Sequence, residues 1–219
     1  MLKVIDFLLI DMDNYLRKTR RNKLMSYKIH IYFGDGKGKT TAAAGLAVRY
    51  AGKGGKVIFA QFLKDGTSGE VSVLKKIKGI EYRRVEKAFG FTWTMSENEK
   101  KIAADEYKNL FDSVLHTCAG GELIVLDEIL DLIRVGFIDE SYVINKILSL
   151  EGKREILLTG HSLSEKTAEI ADYITEMKKI KHPFDRGLSA RPGIEYRIFP
   201  FSRKFTVTKK KFFKKVLEK

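Results

Sequence analysis

A chain of 219 residues that is 44% hydrophobic and 32% charged, with three prolines and one cysteine, suits a single domain with its own core. That excludes a disordered chain, a collagen and a disulfide-stapled secreted scaffold. The net charge of +13 sits mainly at the ends: residues 1–28 carry seven Lys/Arg against three Asp, residues 203–219 carry eight against Glu218, and residues 29–202 carry 26 basic against 24 acidic side chains.

In chain order, KIHIYF (28–33) is a β-branched and aromatic run that predicts a strand ending at a glycine-rich turn. TTAAAGLAVRYAGK, from Thr40, has the spacing of a helix that stops at Gly52 and Gly54. KVIFAQF (56–62) predicts a second, buried strand. A polar loop, a short helix near 69–78 and a more exposed strand at 80–86 follow. The loop AFGFTW (88–93) precedes a helix over about 97–118, with Ile102, Ala103, Tyr107, Leu110, Phe111, Val114 and Leu115 at its apolar positions. ELIVLDE (122–128) predicts an apolar strand ending in two carboxylates, and a helix through 139–150 leads to another buried strand, REILLTG (154–160). SLSEKTAEIA predicts a helix capped by Ser162 or Ser164, and DYITEM (172–177) a last short strand.

Near-continuous apolar strands alternating with helices predict an α/β fold, a mostly parallel central sheet with helices on both faces. Ligands of such sheets bind beyond the carboxyl ends of the strands, where Gly34–Thr41, Gln61, Asp127–Glu128 and Thr159–His161 all fall. With no repeat or low-complexity linker, the chain divides into a basic arm (1–27), one α/β domain (28–202) and a basic tail (203–219). The tail KKKFFKKVLEK has the charge to touch nucleic acid or an anionic membrane, and its plainer reading is a solvated arm. Cys118 alone cannot form an internal disulfide, which points to a reducing, cytoplasmic setting. No apolar run approaches the ~20 residues of a membrane span. VIDFLLIDM, interrupted by Asp6 and Asp11, does not read as a signal peptide.

FGDGKGKTT (33–41) lies between a strand and a helix, the context of a P-loop. Glycines at 34, 36 and 38 let backbone N–H groups turn toward an anion, with Asp35 and Lys37 between them. The helix start adds its positive end, Lys39 reaches phosphate as a point charge, and the hydroxyl of Thr40, next to Thr41, can ligate Mg²⁺. The strict pattern has glycine where this chain has Phe33. LIVLDE supplies the acidic strand end expected to face the threonine, which predicts a P-loop NTPase of RecA-like type. A GTPase base selector fails, because Asn145-Lys146 is followed by Ile147-Leu148.

These residues resemble the ATP:corrinoid adenosyltransferase family of the bacterial cobalamin pathway, the CobA/BtuR/CobO type. The likeness runs from about Lys28 to Tyr196 through GDGKGKTTAAAGLAVR, QFLK (61–64), Gly69-Glu70, GFTW (90–93), VLDE (125–128), TGH (159–161), ADYITEM (171–177), KHPFDRG (181–187) and GIEY (193–196), in order and at similar spacing. The resemblance implies transfer of the 5′-deoxyadenosyl group of ATP to cobalt(I) of a reduced corrinoid, with release of triphosphate. It implies a nucleotide held in reverse, so that the ribose meets the co-substrate. The Gly34–Thr41 turn and Gln61 would bind nucleotide, with Lys39 also catalytic, and Thr40 and Glu128, with Asp127 beside them, would hold Mg²⁺. Phe91 and Trp93 would exclude the lower axial ligand of cobalt(II) and ease its reduction. His161 stands where the family usually has arginine, so a phosphate contact there should be weaker and pH-dependent. The resemblance further implies a homodimer, a flavoprotein reductase as partner, and an N-terminal helical lid for which LRKTRRNK is the candidate, although Met25 is an alternative start.

Several residues keep two readings: Phe62 as core or ligand contact, Glu70 as polar contact or helix start, and His182 as loop support or corrinoid contact. Cys118 reads as a buried small hydrophobe. Rival functions are a RecA-like ATPase acting on nucleic acid, a non-catalytic carrier, and a small-molecule kinase. All three differ from the adenosyltransferase in product, because only it releases triphosphate.

Overall fold

Strand β4 (Glu122–Asp127) is buried at all six positions, and β2 (Lys56–Gln61) and β5 (Glu155–Gly160) at five of six. A strand apolar on both faces must be covered on both. The computed structural model describes residues 27–87, 89, 94–117, 122–150, 154–189, 191 and 193–194. Its sheet has six strands, all paired in parallel, in the order β3-β2-β4-β5-β1-β6. β1 spans Ile29–Phe33, β3 Ile80–Arg84 and β6 Tyr173–Glu176. The more exposed strand read at 80–86 is thus an edge strand, and the exposed β6 forms the other margin.

Helix α1 (Lys39–Gly52) lays a stripe of Ala43, Ala44, Ala47 and Ala51 on Val57, Phe59, Leu123, Val125 and Leu157. Alanines let the helix axis approach the sheet closely. On the opposite face, Ile58, Ala60, Ile124, Leu126, Ile156 and Leu158 pack with Tyr107, Phe111 and Val114 of α3 (Glu97–His116). The N-terminus of α3 is a capping box of Ser96 and Glu99. Ile102, read as part of its apolar side, is 38% exposed and lies outside the core.

The remaining helices are short: α2 (Gly69–Leu74), α4 (Ile129–Arg134), α5 (Glu140–Leu148) and α6 (Glu165–Glu169). Ser164, not Ser162, caps α6 through the N–H of Thr167. Helix α4 has no signature in the sequence, because ILDLIR (129–134) is six residues long, too short to show a helical period. A single left-handed residue, Glu128 with φ 66°, turns the strand into the helix. Phe91, Trp93 and Cys118 lie outside the described residues, as do most of the two basic arms.

The start of β6 is tied to β1 by a reciprocal pair. Asp172 N–H donates to Ile29 O at 2.9 Å, and Ile29 N–H donates to Asp172 Oδ2 at 3.0 Å. Lys28 Nζ donates to Oδ1 at 2.9 Å. Partial burial pushes the Asp172 carboxyl up, but these donors outweigh it and hold it below its ordinary value of 3.8. A depressed carboxyl stabilises the fold above its unfolded value and loses that contribution as pH falls through the folded one. Asp172→Asn should therefore lower the melting temperature by about 2–4 °C at pH 7. The gap to wild type should close below pH 3.8, as read by thermal scans across pH.

Candidate active site

The carboxyl ends of β2, β4, β5 and β1 lie side by side, and odd-numbered residues of β2, β4 and β5 face α1. Gln61, Asp127 and Thr159 thus emerge on one face as adjacent polar groups, each at most 1% exposed. Asp127 is their centre. It accepts hydrogen bonds from Thr40 Oγ1 (3.0 and 3.2 Å), Gln61 Nε2 (3.0 Å), Thr159 Oγ1 (2.8 Å) and Lys64 Nζ (2.7 Å). Gln61 is oriented by Tyr82, whose hydroxyl donates to its Oε1 at 2.7 Å. Burial raises the Tyr82 phenol to about 12, so it remains a donor.

Glu128 stands beside this cluster. Side chains of consecutive strand residues point to opposite faces, yet the left-handed turn at Glu128 brings its carboxylate to the same side as Asp127. Lys64 Nζ touches both, at 2.7 Å from Asp127 Oδ2 and 3.3 Å from Glu128 Oε1. Burial, and after it the charge of Asp127, raises the Glu128 carboxyl against the pull of Lys64. The N–H of Glu128 is held by Thr159 Oγ1 at 2.9 Å.

The glycine turn connects β1 to α1. Gly34 (φ 113°) and Gly38 (φ 116°) adopt backbone that disfavours a side chain. A Cβ on Gly34 or Gly36 would also lie 2.5 Å from the carbonyl oxygen of Met177. The end of β6 therefore braces the turn: Gly36 N–H donates to Met177 O at 2.6 Å, Met177 N–H to Phe33 O at 2.7 Å, and Lys179 N–H to Asp35 Oδ1 at 2.9 Å. That last bond, against slight desolvation, lowers the Asp35 carboxyl. No side chain caps α1 and no acidic residue lies in its first turn, so its positive end faces the site. Lys39 Nζ donates to Gly34 O (2.6 Å) and Gly36 O (2.9 Å), and burial lowers its pKa despite nearby Asp131 and Glu128. Lys37 and Thr41 lie on the exposed side of the turn and helix.

His161 is held by Asp131 of α4, which accepts from its backbone N–H at 3.0 Å and from Nδ1 at 2.9 Å. A carboxylate acceptor places the ring proton on Nδ1 and leaves Nε2 outward. Asp131, Tyr82 and Lys64 were missed by residue-by-residue reading, although Lys64 closes the QFLK motif. Phe62 is core at 0% exposure, Glu70 lies in the first turn of α2, and His182 Nδ1 accepts from Phe184 N–H in its own loop.

Residues 26–196 match the sequence model of ATP:corrinoid adenosyltransferase BtuR/CobO/CobP. This chain belongs to that family. Corrinoid adenosyltransferase CobA of Salmonella typhimurium is 33% identical over 176 residues, 77% of this chain and 85% of the relative. A corrinoid adenosyltransferase of Escherichia coli K12 aligns with the same identity and coverage. One from Sinorhizobium sp. is 31% identical over 189 residues, 82% of this chain and 88% of the relative.

The donor set of this adenosyltransferase suits magnesium. One hydroxyl and two carboxylates are hard oxygen donors, and Mg²⁺ takes few protein ligands, completing its shell with phosphate and water. Among the described residues no group of three or more His, Cys, Asp and Glu forms a denser metal cage.

Because Asp127 accepts four side-chain donors in a sealed position, Asp127→Asn would turn an amide NH₂ toward groups that are themselves donors. The variant should lose about 2–4 kcal/mol in urea denaturation without ligands. Thr40→Val, which leaves the carboxylate its other partners, should lose about 1 kcal/mol. Equal losses would refute the central place given to Asp127.

Proposed function

We propose that the cluster at the carboxyl edge of the sheet carries the adenosyl transfer of this family, with ATP held by the Gly34–Thr41 turn. The observation that carries the reading is the meeting of Thr40, Asp127 and Glu128 directly beside that turn. The glycine turn between β1 and α1, with acidic β4 one strand removed across β5, supports a P-loop NTPase architecture of RecA-like type.

Cobalt(I) of the reduced corrinoid attacks C5′ of the ribose. The cobalt–carbon bond forms with the cobalt electron pair, the C5′–O5′ bond breaks, and triphosphate leaves with that pair. Cobalt is itself the nucleophile, so no side chain has to remove a proton. What remains for the protein is to place C5′ in line with cobalt and to stabilise a departing polyanion. Lys39, on leaving the Gly34 and Gly36 carbonyls, would supply charge to the polyphosphate, as would the α1 N-terminus. Thr40 and Glu128, with Asp127 beside them, would hold Mg²⁺, whose charge offsets that of the leaving triphosphate.

Gln61 would contribute an oriented amide at the floor of the site. His161, through Nε2, would stand in for the family's arginine near the phosphates. Phe91 and Trp93 would press on the corrinoid and keep a lower ligand and water from cobalt(II), which eases its reduction. By the same reading the arm 1–27 would be a helical lid on the α/β domain 28–202, followed by the tail 203–219. The enzyme would be a cytoplasmic homodimer supplied by a flavoprotein reductase. No described helix is long and apolar enough to cross a membrane.

Incubation with ATP, Mg²⁺ and chemically reduced cobalamin should change the visible spectrum as the cobalt–carbon bond forms, with one triphosphate released per bond. ADP and phosphate as products, stimulated by DNA or RNA, would replace this reading with a nucleic-acid ATPase. Lys39→Ala should lower kcat/KM by about 10²-fold or more. Phe91→Ala and Trp93→Ala should slow a reaction started from cobalt(II) at least about tenfold more than one started from cobalt(I). Equal losses in the two assays would contradict the role of that loop.

A further inference from the structure

We propose that Lys64 is an internal counter-ion that holds the metal-binding oxygens together until a divalent cation displaces it. This rests on the reading of Thr40, Asp127 and Glu128 as the metal's ligands. The Lys64 ammonium lies 2.6 Å from Thr40 Oγ1, 2.7 Å from Asp127 Oδ2 and 3.3 Å from Glu128 Oε1. It is therefore centred on the same three oxygens. A lysine ammonium is compact and carries three N–H donors, one for each.

The site needs such a charge when empty of metal. Asp127 is fully buried, and a second carboxylate beside it would repel it. Lys39, the other ammonium of the site, is engaged with the carbonyls of Gly34 and Gly36. Lys64 alone among the described lysines forms an ion pair with either carboxylate.

The backbone is bent to deliver it. Leu63, just before Lys64, has φ 53°, a left-handed conformation that non-glycine residues rarely adopt. The bend is pinned on its N-terminal side by Phe62 N–H donating to Asp127 O at 2.9 Å. The strain aims the fourth residue of QFLK back over the site that Gln61 already lines. The Lys64 side chain remains 22% exposed, so its flexible stem has a way out. A lone cation must expel the ammonium. One arriving on a nucleotide brings phosphate ligands that outweigh it, so metal and nucleotide enter together.

The test titrates Mn²⁺, a hard-cation probe, into nucleotide-free full-length protein, reading free Mn²⁺ by electron paramagnetic resonance and unfolding by thermal scans. Lys64→Met should bind Mn²⁺ at least about tenfold more tightly than wild type. In EDTA it should melt below wild type, and saturating Mn²⁺ should raise its melting temperature more than it raises that of wild type. Lys64→Arg, which keeps the charge, should bind no more tightly than wild type. Should Lys64→Met fail to fold, Lys64→Gln removes the charge while keeping a donor, and the same gain is expected. Unchanged or weaker Mn²⁺ binding in the uncharged variants overturns the proposal. No corrinoid or ATP enters the titration, so such a failure would be distinct from failure to release triphosphate.

Discussion

A carboxylate shut away from water must be met by donors, and the arrangement around Asp127 follows from that requirement. Its partners come from the end of β2, the loop after β2, the end of β5 and the first turn of α1. Satisfying one buried charge thereby fixes four elements relative to one another at the edge where a ligand would sit. The same oxygens that stabilise the ligand-free fold are those that suit a hard cation. Folding and the proposed binding draw on a single set of contacts.

Much of this was readable in advance. Both faces of a parallel sheet are covered, so its inner strands show as unbroken apolar runs, and β1, β2, β4 and β5 were placed to within a residue or two. The edge character of 80–84 showed in its charged residues. Helix α4 was invisible because its six residues are too few to display a helical period. The pairing of Asp127 with Glu128 was legible only as composition. An extended strand would send them to opposite faces, and the single left-handed residue that reverses this has no signature in glutamate. Lys64 was hidden for the same reason, since Leu63 gives no hint of positive φ. The resemblance supplied what no local pattern could, namely the role proposed for Phe91 and Trp93.

Glycine at 34 and 36 reads as accommodation of phosphate, and the structure adds a second requirement. The carbonyl of Met177 occupies the space that side chains there would need, so two demands converge on the same absent methyl groups.

That bracing makes the shape of the glycine turn a property of the sheet's rim. Among the described strands β6 has one neighbour, β1, and its four residues are exposed, yet the residues just after it clasp the loop through Met177 and Lys179. Whatever leans on that outer strand therefore bears on the glycine turn without passing through the hydrophobic interior. Drift in the sequence of the periphery is drift in the shape of the hand proposed to hold the nucleotide.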